Sequence, residues 1–110
     1  MTAKFEIFKG TNSQFYFRLK SGNGEQILAS EGYLAKASCL AGVQSVKAHA
    51  PYDANYRRLT SSNSKDYFTL NATNGQVIGV SQMYSSKQGR DNGIAAVKRD
   101  APSAPVSDLT

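Results

Sequence analysis

The chain states one pattern twice. NGEQILASEGYLAKA begins at Asn23 and NGQVIGVSQMYSSKQ at Asn74, and residues 4–51 lie over residues 55–102 without a gap. Sixteen of the 48 aligned positions are identical, spread from Asn12/Asn63 and Ser13/Ser64 to Ala50/Ala101 and Pro51/Pro102. A duplication on this scale implies two copies of one supersecondary unit. Each copy is too small to bury an adequate core alone, whereas 110 residues suffice for one compact domain. PYDAN is the whole linker, too short for freely moving modules. The expectation is a single domain over 1–110, with repeat one at 4–51, repeat two at 55–102 and a polar tail at 103–110.

Within each unit the hydrophobic period is first two and then three to four. In FYFRLK, Phe15, Phe17 and Leu19 alternate with Tyr16, Arg18 and Lys20, the mark of a half-buried strand. Unit two keeps Phe68 and Leu70 inward, while Asp66 in the place of Phe15 suggests that this end reaches solvent. Asn23-Gly24 and Asn74-Gly75 read as two-residue type I′ hairpin turns, since both residue types tolerate φ > 0. EQILAS and QVIGVS supply the next strands, and KFEIFK and NYRRLT the first ones. Arg58 stands where unit one has Ile7, which puts inward repetition there in doubt.

The period then changes. Ala37, Leu40, Val43, Val46 and Ala50 form an apolar stripe at helical spacing, thinner in unit two as Ile94, Val97 and Ala101. Ser85 with Gln88 matches a capping box, and Leu34 in the matching place leaves unit one uncapped. Gly42 and Gly93 fall inside these helices, where glycine implies close approach of helix to sheet. Pro51 and Pro102 end them. The resulting fold is α+β: two tandem β-β-β-α(-β) units share one antiparallel sheet about a pseudo-twofold axis, with both helices on one face.

The string FEIFK, then FYFRLKSGNGE, ILASEGY, KAS, GVQSVK and AP resembles the YegP-like family of bacterial proteins of unknown function (domain DUF1508, UPF0339 type). The resemblance covers both units. It implies tandem β3-α-β units in a single sheet, with C-terminal strands after Pro51 and Pro102 exchanged between units. Single-repeat members would obtain the same sheet by dimerising. The resemblance supplies no catalytic residues.

Chemistry-bearing patterns are sparse. Cys39 and His49 are the only cysteine and histidine, so neither a disulfide nor a Cys/His metal site can be assembled within the chain. Arg90 in the place of Cys39 suggests a position near the solvent boundary, and His49 suits a helix C-terminus. No phosphate loop, nucleophile elbow or paired carboxylates stand out, so no catalytic residue, cofactor or metal is expected. MTAKFEIFKG has no export-type apolar core, and no stretch is apolar enough to span a membrane. The expected location is cytoplasmic, with no membrane partner.

Thirteen basic residues against eight acidic ones give a net charge of +5, spread over both units. Ser30/Ser81, Tyr33/Tyr84, Lys36/Lys87 and Lys47/Lys98 recur, either as structural bridges and wet outer faces or as a paired anion surface. Tyr16 and Tyr67 face away from the core, and with Arg18 and Lys20 offer a stacking platform for single-stranded nucleic acid. Thr69 and Asn71 replace those two basic residues in unit two, which weakens that reading. The candidate anion or nucleic-acid surface is thus Tyr16, Arg18, Lys20, Lys36, Lys47, Tyr67, Lys87 and Lys98. The first reading is an interaction or dimerisation module contacting a protein partner or its own copy through the open sheet face. The second is weak nucleic-acid binding. Aromatic and basic side chains clustered on that face would favour the second, and dominant apolar ones the first.

Overall fold

The structure, a computed structural model, describes residues 2–110. Unit one contributes β1 (Lys4–Lys9), β2 (Phe15–Lys20), β3 (Gln26–Ala29) and α1 (Lys36–His49). Unit two contributes β4 (Tyr56–Thr60), β5 (Asp66–Asn71), β6 (Val77–Val80), α2 (Lys87–Asp100) and a short β7 (Val106–Asp108). The seven strands form one sheet in the order β4-β5-β6-β3-β2-β1-β7. The two units meet at β3 and β6, where Ala29 pairs with Val80 across the pseudo-twofold. Each helix lies over its own second strand and reaches across the axis, α1 to β6 and α2 to β3, which is why one core serves both units. At the seam the symmetry breaks: Leu28 fills the space that a side chain on Gly79 would need, a Cβ there standing 2.7 Å from the leucine.

Unit two's last strand completes unit one. β7 runs parallel to β1, with Phe5 opposite Val106 and Ile7 opposite Asp108, so the sheet is mixed rather than wholly antiparallel. From β6 the chain passes through α2 to the far edge of the sheet, where β7 runs opposite to β6 and in the direction of β1 and β3. The exchange is one-sided. After Pro51 the chain makes a 3-10 turn at Asp53–Asn55 and enters β4 directly, so no extra strand flanks β4.

Several local expectations shift by a residue. The hairpin loops have three residues, not two. Gly24 donates to the Ser21 carbonyl (2.9 Å) and Ser21 to the Glu25 carbonyl (2.8 Å), a turn closed by Gly24 at φ +85°. Gly75 repeats it at φ +88°. Asn23 and Asn74 therefore need no positive φ. Their side chains instead accept the backbone N–H of Glu25 and Gln76, each at 3.0 Å. The β1–β2 and β4–β5 loops take the same form with serine at the left-handed position, Ser13 at φ 65° and Ser64 at φ 66°.

Helix α2 is capped by Ser86, whose Oγ accepts from Gly89 N–H at 3.0 Å; Ser85 lies one residue too early, and no glutamine returns the bond. Helix α1 starts after Ala35 without a side-chain cap. Its buried stripe is Cys39, Gly42, Val43 and Val46, so Leu40 and Ala37 face solvent and Cys39 is fully buried, not at the boundary. Arg90, at the equivalent place in α2, is buried too. Its guanidinium lies 3.8 Å from Asp66 and 3.1 Å from Asp91. Asp66 is consequently sheltered, not solvent-reaching: where unit one has the pair Phe15 and Cys39, unit two has two charges that neutralise each other. Arg58 keeps Ile7's inward register, at the margin, held by Asp53 (3.0 Å) and Asp91 (3.4 Å).

Candidate functional site

Strand alternation divides the sheet into two faces. Phe5, Ile7, Phe17, Leu19, Phe68 and Leu70 point under the helices and are fully buried. Among the described residues no helix covers the opposite face. There β1 and β2 place Phe8 against Tyr16, their cross-strand rings stacked at 5.7 Å and 17°. The Arg18 guanidinium lies over the Phe8 ring at 4.4 Å. Lys4 and Lys20 flank it, and all three cations converge on the carboxylate of Glu6, at 3.4 Å, 2.8 Å and 3.5 Å for Lys4, Arg18 and Lys20. Their hydrogen bonds and charge, Arg18 foremost, hold the Glu6 carboxyl below the usual range against the opposing effect of its burial. Three positive charges around one negative leave this half of the face electropositive. On the unit-two half, Tyr67 stands beside Arg57, Leu59, Thr69 and Asn71, a more neutral surface.

Tyr16, Arg18 and Lys20 thus come together as expected from β2. Lys36, Lys47, Lys87 and Lys98 do not join them. Lys47 and Lys98 sit on the helical side, over the rings of Phe5 (5.8 Å) and Tyr56 (5.6 Å), equivalent residues of the two units. That cation–ring contact accounts for their recurrence. Lys98 also reaches Asp53 at 2.7 Å. Lys36 bonds Asp108 of β7, and Lys87 is exposed at the start of α2. The eight candidate residues therefore fall into two groups on opposite faces, and they do not form one paired anion surface.

The other repeated polar residues are structural. Ser30 and Ser81 each accept the backbone N–H of the buried phenylalanine, Phe17 or Phe68, at 2.9 Å. Tyr33 and Tyr84 stack on those same phenylalanines at 6.3 Å and 6.4 Å. Gly42 and Gly93 make room for the tyrosines: a Cβ on Gly93 would stand 2.2 Å from the Tyr84 hydroxyl. Cys39 is buried, and desolvation pushes its thiol up, away from the reactive thiolate. His49 Nδ1 lies 2.8 Å from the Ser45 carbonyl in the last turn of α1. Among the described residues no group of three or more His, Cys, Asp or Glu is placed to hold a metal. No helix among them is long and apolar enough to cross a membrane.

The residues that sequence reasoning missed are Glu6, Phe8 and Lys4. The alternation of KFEIFK already places Phe8 opposite Ile7, but only the β1–β2 register, Glu6 against Arg18 and Phe8 against Tyr16, joins them into one array.

A duplicated β3-α unit with a crossing last strand defines a specific class, and comparison with known proteins identifies it. The chain belongs to the family of the domain of unknown function DUF1508, which it matches twice, over residues 11–56 and 61–108. It is 52% identical over 104 residues to a UPF0339 protein of Bordetella pertussis, covering 94% of each chain. To the UPF0339 protein YegP of Escherichia coli O157:H7 it is 49% identical over the full length of both. Two solution NMR structures share the fold. One is a UPF0339 protein from Shewanella oneidensis, with TM-score 0.93, 45% identity and coverage of 100% of this chain and 93% of that one. The other is YegP from E. coli, a protein of unknown function, with TM-score 0.94, 47% identity and coverage of 100% and 95%.

Proposed function

We propose that the protein is a binding module whose contact surface is the uncovered sheet face, and that its ligand there is single-stranded nucleic acid. The observation that carries this reading is the stacked Phe8–Tyr16 pair with Arg18 over it, bordered by Lys4 and Lys20. Aromatic faces accept bases without regard to sequence, and the flanking cations suit the phosphates between them. A protein partner or second copy on this face has less support. The large apolar side chains most exposed to solvent, among them Leu34, Met83 and Tyr52, lie in connections instead. Such a module works without catalysis or cofactor.

The test is fluorescence anisotropy with labelled single-stranded RNA and duplex DNA at about 50 and 200 mM salt, where counterion release makes phosphate binding weaken steeply. Saturable binding to the single strand that falls with salt and with Tyr16→Ala or Lys20→Ala, but not with Lys87→Ala, supports the reading. Absence of binding at the lower salt refutes it and returns the face to protein contact.

A further inference from the structure

We infer that the outer edge of β4 is a docking site for an extended acidic segment of another polypeptide, added as a parallel strand. The argument comes from the internal symmetry and stands independently of the nucleic-acid reading. At the other end of the sheet, the equivalent edge of β1 is occupied by this chain's own β7. There Phe5 N–H donates to the Pro105 carbonyl at 2.8 Å, Leu109 N–H donates to the Ile7 carbonyl at 2.8 Å, and Asp108 pairs with Lys36 at the start of α1. The molecule therefore displays what this kind of edge accepts: a short extended strand whose acidic residue reaches the helix-start lysine.

The β4 edge offers the same groups without the occupant. Tyr56 and Arg58 take the places of Phe5 and Ile7. Tyr56 N–H is already held by the Asp53 carbonyl, much as Pro105 holds Phe5, so the chain itself closes the first position and then turns inward. Beyond it, strand alternation aims the Arg58 N–H and C=O outward, because Arg57 and Leu59 face β5 for the ladder bonds. Lys87, the counterpart of Lys36, is exposed and holds no ion pair among the described residues. An acidic residue at the Asp108 position of an added strand would lie beside Arg58 and within reach of Lys87.

The charges also select against other occupants. Arg58 is already held by Asp53 and Asp91, but Arg57 and Lys87 are exposed with no ion pair among the described residues, an arrangement that discourages pairing with neutral or basic strands. Antiparallel pairing of two β4 edges would set like charges against each other, in a chain of net charge +5. The partner is therefore an acidic extended peptide, bound by strand addition.

The probe is a synthetic peptide, APVSDLT, copied from residues 104–110 and titrated into the full chain labelled with 15N. Saturable amide shifts at Arg58, Thr60 and Lys87, with those of Phe5 and Ile7 unmoved, are expected. Lys87→Glu should weaken binding by about fivefold, and the charge-swapped peptide APVSKLT should recover it on that variant. Lys87 is exposed, so the fold is retained and circular dichroism confirms it. Three results overturn the proposal: no saturation up to about 1 mM peptide, shifts confined to β1, or indifference to the charge swap. Growth of molar mass with concentration that Arg58→Pro abolishes would assign the edge to a second copy, and overturns it equally.

Discussion

Replacing Gly93 by alanine should destabilise the protein even though it removes a glycine from the interior of a helix. On helix propensity alone the substitution gains about 1 kcal/mol. The structure sets a larger cost against that gain. The new methyl would stand 2.2 Å from the Tyr84 hydroxyl, 2.8 Å from Cζ of the same ring and 3.2 Å from Phe68 Cε2. The tyrosine ring cannot swing aside freely, being stacked on Phe68 at 13° between planes and paired through its backbone with Asp66. Forcing a methyl into such a site costs about 1–3 kcal/mol, which against that gain leaves a net loss of about 0–2 kcal/mol; at about 1 kcal/mol the fall in Tm is roughly 4–8 °C. Tyr84→Phe alone should be neutral or stabilising by about 1 kcal/mol, because the hydroxyl is buried with no hydrogen-bond partner among the described residues. In the double variant the closest clash is gone while those with Cζ and with Phe68 Cε2 remain, and about half of the Gly93→Ala cost should vanish. Urea denaturation of the four proteins in this cycle measures the coupling, and Gly89→Ala, whose Cβ would sit 3.3 Å from Ser86 Oγ, serves as a less crowded comparison. Stabilisation by Gly93→Ala, or additivity within about 0.3 kcal/mol, would refute the packing argument.

Other outcomes follow from the same geometry. Ser13→Gly and Ser64→Gly should each stabilise by about 0.5 kcal/mol, since relief of a left-handed serine outweighs the added freedom of the unfolded chain; chemical denaturation reads the sign. Glu6→Gln frees three cations on the open face and should tighten binding of single-stranded RNA at low salt while lowering thermal stability, both measurable on one preparation. Lys36, with Thr110, holds the Asp108 carboxyl down to about 2. Because this folded value lies below the ordinary one near 3.9, the stabilisation is fully present above about pH 4 and is lost as pH falls through about 2. Amide protection at Phe5 and Leu109 should drop over that window, and Lys36→Ala should reduce the pH dependence, leaving the part that Thr110 supplies.

The duplication and the change of period made the architecture legible: three strands and a helix, twice, over one core. What escaped the sequence were one-residue choices made by tertiary packing. Leu40 and Cys39 are both apolar enough for a helix stripe, and only the direction in which α1 crosses the sheet decides that the cysteine turns inward. Asp66 and Arg90 each look like surface substitutions when read singly, because nothing in the chain order tells that they touch. Asn-Gly signals a tight hairpin but not its loop length, which depends on whether the serine or alanine before it closes the ladder. Of the candidate surface, Tyr16, Arg18 and Lys20 were visible from strand alternation. Glu6 was not: its role arises from cross-strand register.

The crossing of β7 to β1 has a consequence for biosynthesis. The first strand to leave the ribosome finds its outer neighbour only after every other element of the sheet has been made. Until then β1 carries a bare edge, with the N–H of Phe5 and the carbonyl of Ile7 lacking the partners they have in the finished sheet. Such late, long-range closure is slow and leaves a window for wrong pairing. The nascent chain thus presents the six-residue β1 edge bare where the finished sheet presents only the three-residue β7, and residues 106–108 act as the latch that ends that vulnerability.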